Sequence, residues 1–124
     1  MSQVVTKVPL SLSTNGRRIS VTATAAPSSP NVHVVSATVG VKEDIYLDVV
    51  NLGETTTVYV GWGGKSASDI ITKANLPANT VANGAVPLHR GILIGAATPL
   101  GIYVWVASGG SVTIGGDVLQ GVDQ

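Results

Sequence analysis

The chain has 124 residues, enough for one domain around a single core. Seven Lys plus Arg balance seven Asp plus Glu, cysteine is absent, and 11% of residues are charged, against roughly 25% in ordinary soluble domains. This excludes disulfide staples and thiolate metal sites, and it gives no electrostatic grip on nucleic acid. A neutral surface also offers little repulsion between copies, so much of it is expected to face other protein.

The opening "MSQVVTKVPLSLS" has no basic stretch followed by a long apolar run, so no secretory signal is expected. Short strands are expected at Val4 to Val8, Arg18 to Thr24 and Val32 to Thr38. Between the last two, "TAAPSSPNV" reads as a loop. It divides an N-terminal arm or first strands, residues 1–27, from a β-sandwich over 28–124, all within one domain. The arm is positioned to pair with a neighbouring subunit.

Period two then dominates. In "DIYLDVVNL", Ile45, Leu47 and Val49 share one face, while Tyr46, Asp48 and Val50 share the other. In "TTTVYVGW", Val58, Val60 and Trp62 alternate with Thr57, Tyr59 and Gly61. Asn51 and Gly53 between these runs are turn formers, so the two strands are expected to form an antiparallel hairpin. "SASDIITKAN" is the best helical candidate, a single turn capped by Ser66 or Ser68. Val86 to His89 and Ile92 to Ile94 read as two more short strands.

"GILIGAATPLGIYVWVA", residues 91–107, is long and uncharged. A membrane helix needs about 20 apolar residues, and Pro99 and Gly101 interrupt this run, so no span is expected. "GIYVWVA" alternates Ile102, Val104 and Val106 with Tyr103, Trp105 and Ala107. The turn "SGGS" should return it as a hairpin with "SVTIGGDVL", where Gly115 and Gly116 mark a bulge. Short strands, Gly and Pro turns and almost no helix indicate an all-β fold: an antiparallel β-sandwich or jelly roll with an N-terminal arm, a barrel being the next choice.

No residue set names a reaction. "VYVGWGGKSASD" imitates a phosphate loop at Gly64-Lys65-Ser66, but Tyr59 stands where the pattern needs its first glycine, and no substantial helix follows. His33 and His89 have no spaced partners for a metal, and each is expected to be solvated or hydrogen-bonded. Glu43, Asp44 and Asp48 sit at the start of a strand and on its second face, where acids stay solvated. Asp44 and Asp48 lie four residues apart, roughly 13 Å along a strand, too far to share a proton. No nucleophile elbow appears. The chain is therefore read as no enzyme, with no catalytic, cofactor-binding or metal residue.

The aromatics are Tyr46, Tyr59, Trp62, Tyr103 and Trp105. Basic residues are absent between Gly91 and Asp117, which disfavours base stacking as a nucleic-acid platform. Aromatic residues are enriched in interface cores, so Tyr103, Trp105, Trp62 and Tyr59, with Val4 and Val5 of the first strand, are the candidate protein-interface residues. The alternative is a carbohydrate- or receptor-binding module using Tyr103, Trp105 and Trp62.

A strand ending in "VNLGETTTVYVGWGG", a polar excursion "KSASDIITKANLPANT", a turn "VPLHRGILIG" and the closing "PLGIYVWVASGGSVTIGGDVL" give a layout over about residues 40–120. In that layout the chain resembles small β-sandwich virion proteins of tailed bacteriophages: capsid decoration (cement) proteins, head-fibre bases and related accessory proteins. The resemblance implies a structural protein, made in the host cytoplasm, that sits on the outer capsid surface. It implies a dimer or trimer that bridges major capsid subunits, with no cofactor, nucleic acid or membrane partner.

Overall fold

The computed structural model describes residues 3–22, 24–35, 41–64, 66–78, 86–94, 100–107 and 110–123, with the backbone alone at 3–5, 89–94 and 122–123. The chain is all-β. Among the described residues nine strands run in order: β1 (Gln3–Pro9), β2 (Ile19–Val21), β3 (His33–Val34), β4 (Lys42–Asn51), β5 (Thr56–Trp62), β6 (Ile70–Leu76), β7 (Val86–Ile94), β8 (Gly101–Val106) and β9 (Val112–Asp123). They form two antiparallel sheets. The first sheet has the order β1-β9-β4-β7, with β2 also on β9. The second has the order β3-β8-β5-β6.

The alternation seen in the sequence builds the core. Ile45, Leu47 and Val49 of β4 and Val112, Ile114 and Val118 of β9 are buried on one side. Val58 and Val60 of β5 and Ile102, Val104 and Val106 of β8 meet them from the other sheet in one apolar cluster. The result is a β-sandwich whose two inner faces share that core. β-Branched side chains suit a pleated, half-buried surface, which is why valine dominates it.

Both expected hairpins are corrected. β4 pairs with β7 and β9, whereas β5 pairs with β6 and β8, so the chain crosses between sheets at residues 52–55. Likewise β8 and β9 lie in opposite sheets. An alternating apolar strand looks the same whether its successor lies beside it or across the core. Crossing wins here because it sets two apolar faces against each other, where a hairpin would leave both on one side of one sheet. Asn51 holds the first crossing: its amide donates to the Glu54 and Pro77 carbonyls at 2.7 and 2.9 Å, and its Oδ1 accepts the Gly53 N–H at 3.0 Å. The two crossings meet where the Leu52 N–H donates to the Ser111 carbonyl at 2.7 Å.

Other expectations change in detail. Val86–Ile94 is one strand, and the helical candidate is a short 3-10 turn, Ala67–Asp69, that runs into β6. Of residues 18–24 those described contribute Ile19–Val21 as strand, and of residues 32–38 those described contribute His33–Val34, with 23 and 36–38 outside the described residues. Gly115 and Gly116 keep a continuous register with β4, so they are no bulge. Gly116 serves close approach instead: its φ is 149°, and a Cβ there would run into the Tyr46 carbonyl oxygen. The N-terminal strand β1 pairs along its length with β9 of its own chain.

Candidate functional site

The two outer faces of the sandwich differ in chemistry. On the first sheet, several charged side chains are engaged within the chain. Lys7 Nζ sits 3.1 Å from Asp117 Oδ2, and the Tyr46 hydroxyl donates to Asp44 Oδ2 at 2.7 Å. Arg18 lies across Gly115, in space a Cβ would fill. Its Nε donates to Thr113 Oγ1 and its Nη2 to the Thr113 carbonyl, both at 2.9 Å, while Nη1 rests 2.6 Å from Asp48 Oδ1. That last contact is an ion pair without hydrogen-bond alignment, since Oδ1 is covered yet receives no well-directed N–H.

On the second sheet the strands carry one charged residue, Lys73. The register puts Tyr59 opposite Trp105 on β8 and opposite Lys73 on β6. The two rings stack with centroids 5.5 Å apart and planes 14° from parallel, and the Lys73 ammonium lies 5.8 Å from the Tyr59 centroid. Trp105 lies over Gly61 and is only 8% exposed, so its own chain already covers most of it. Tyr59 and Tyr103 are half-buried, and Ile71 beside them on β6 is 42% exposed.

The remaining interface candidates fall elsewhere. Trp62 ends β5 on the inner side, packed against the core. It therefore does not share a surface with Tyr59, Tyr103 and Trp105. Val4 and Val5 pair with Val122 and Gly121 through the backbone, and their side chains lie outside what is described.

A buried polar cluster was not legible as such. Glu43 was expected to be solvated, but it is 2% exposed and on the inner face of β4. His33 of β3, also 2% exposed, reaches it from the opposite sheet: Nε2 lies 2.7 Å from Glu43 Oε1. The Ser11 N–H donates to His33 Nδ1 at 3.0 Å, which assigns the ring proton to Nε2 and makes His33 the donor to Glu43. The Gln120 amide donates to Glu43 Oε2 at 2.8 Å. The Ser11 hydroxyl in turn accepts the Val34 N–H at 2.8 Å. Both ring nitrogens of His33 and both carboxylate oxygens of Glu43 have partners inside the protein, which fits a structural tie between sheets. One signal pointed toward it: Glu43 has the parity of Ile45, Leu47 and Val49. Of the second histidine, His89, only the backbone in β7 is described.

The glycine loop after β5 is filled from within. The Ser66 N–H and hydroxyl both donate to Asp69 Oδ2, at 3.2 and 2.6 Å, so a carboxylate of the chain occupies the donors of this turn. β6 follows directly instead of the helix that a phosphate loop needs. Lys65 lies outside the described residues. Among the described residues no three His, Asp or Glu side chains gather as a metal would need, and no helix is long and apolar enough to cross a membrane. No family model, curated protein or solved structure matches the chain.

Proposed function

We propose that the protein is a structural virion component, a capsid decoration or cement protein that binds the outer surface of a phage head and bridges major capsid subunits. The observation that carries this reading is the contrast between the outer faces. The first sheet carries several charged side chains, Lys7, Lys42, Asp44, Asp48 and Asp117 among them, and the second presents Tyr59, Tyr103 and Ile71 around a lone Lys73. Interface cores are depleted of charge and enriched in aromatics, so the second sheet is the docking face. It would pair the chain with itself as a dimer or trimer and with the shell. Many such contacts, repeated by symmetry, add to large avidity.

The finer fold reading belongs with this proposal. Four strands β1-β9-β4-β7 facing four strands β3-β8-β5-β6, with chain crossings between the sheets, support a jelly roll, an architecture common in viral capsid and lectin domains. In this reading residues 1–27 are an arm that strengthens one sheet edge. The carbohydrate- or receptor-binding alternative would have to work without Trp62, whose side chain packs on the core. It would also have to work with Trp105 largely covered.

Imaging intact particles from the source sample by electron microscopy tests the proposal. It expects this chain as a regular array on the outer face of the head. Particles that carry the chain at a fibre tip, or glycan-array binding by the purified chain, would replace it with the alternative.

A further inference from the structure

We propose that Asn15 is a self-modifying site, at which the chain slowly converts an asparagine to a carboxylate without any enzyme. The inference is independent of the role proposed above. Asn15 and Gly16 are exposed, and both take positive φ, 53° and 75°. The Arg17 N–H donates to the Thr14 carbonyl at 3.0 Å, closing a tight turn with Asn15 and Gly16 at its centre.

Four asparagines lie in the described residues, and three are protected twice over. Asn31 spends both amide atoms on the Val104 backbone, at 2.8 Å each. Asn51 is fully buried with its amide engaged on both sides. Asn75 accepts the Thr57 hydroxyl at 2.7 Å. Each is followed by a bulky residue, Val32, Leu52 and Leu76, whose side chain crowds the next backbone nitrogen. Asn15 has neither protection. No described residue bonds its amide, and Gly16 puts no Cβ beside the attacking nitrogen.

The reaction needs only water. When the turn opens, the Gly16 backbone nitrogen attacks Asn15 Cγ and forms a five-membered imide. The Cγ–Nδ2 bond breaks, and Nδ2 leaves as ammonia with the proton released from the Gly16 nitrogen. Water then adds to either imide carbonyl. Opening at one gives aspartate, and opening at the other gives isoaspartate, in which the main chain runs through the former side chain. The product places a carboxylate beside Arg17 and Arg18 and moves the net charge of the chain from zero to −1. The isoaspartyl form lengthens the main chain inside the turn closed by Thr14 and Arg17.

Incubation of the folded protein at mildly alkaline pH, followed by tryptic mapping with electron-transfer fragmentation, tests this. Residues 8–17 form one tryptic peptide with Asn15 as its sole asparagine. That peptide should gain the mass of amide-to-acid conversion as two isomers, ahead of the peptides that carry Asn31 and Asn51. A parallel sample unfolded in urea sets the intrinsic reactivity of the same bond. The proposal is overturned if Asn15 stays an amide in the folded chain while the unfolded chain converts, or if only ordinary aspartate forms. Asn15→Ser should abolish the acidic form of the whole protein that isoelectric focusing shows after the same incubation. Its persistence in that variant would overturn the proposal and place the reaction at another site, such as Asn83-Gly84.

Discussion

Glu43 is the residue on which the inner face is most sensitive. It accepts from His33 and from Gln120, so Glu43→Ala leaves the buried His33 ring N–H and the half-buried Gln120 amide without their acceptor. A buried orphan costs about 1–3 kcal/mol and a half-buried one less, so the loss should be roughly 2–4 kcal/mol by urea unfolding. Glu43→Gln keeps the shape but turns an N–H toward one of the two donors, and it should lose only about 1–3 kcal/mol. Equal effects of the two variants would mean that shape, not hydrogen bonding, matters at this position. Gly116→Ala tests backbone approach instead, since it combines a φ of 149° with a clash on the Tyr46 carbonyl. It should destabilise by at least about 1–3 kcal/mol, the usual range for a strained backbone residue. A variant as stable as the parent would show that β9 can shift away from β4. Both residues show the reach of sequence reading. The parity of Glu43 was readable, but its partners come from residues 10 and 77 positions away, and no local pattern encodes them.

At the scale of elements, the strands were legible and their partners were not. Ile45, Leu47, Val49, Val58, Val60, Ile102, Val104 and Val106 all fall on the buried face that alternation assigns. The two hairpins failed because turn chemistry at Asn51–Gly53 and near Gly110 suits a crossing between sheets as well as a return within one. Asn51 shows the difference, bonding to Pro77 beyond β6 as well as to its own turn. The aromatic pair gives an element-level prediction. Tyr59 and Trp105 join β5 to β8 on the outer face of the second sheet. Trp105→Ala should cost about 3–5 kcal/mol. A double-mutant cycle with Tyr59→Ala should return about 0.5–1.5 kcal/mol of coupling. Coupling indistinguishable from zero would mean that the stack only fills space.

At the scale of the whole molecule, one outer face carries a single charged strand residue, Lys73. Composition already signalled it, through an 11% charged fraction and zero net charge. Which face was bare was not legible, because the sheets to which β4, β5, β8 and β9 belong emerge only from long-range pairing. The docking proposal turns on exposed Ile71 and half-buried Tyr103 more than on Trp105, which its own chain covers. Apolar contacts are little affected by salt, whereas exposed ion pairs are screened over about 10 Å at 0.1 M. Light scattering of the purified chain at micromolar concentration, in low and moderate salt, is the most direct measurement. The account predicts a homo-oligomer of unchanged mass in both salts, reduced to a folded monomer by Tyr103→Arg. A parent chain that is already monomeric, or an oligomer that Tyr103→Arg leaves intact, would contradict it.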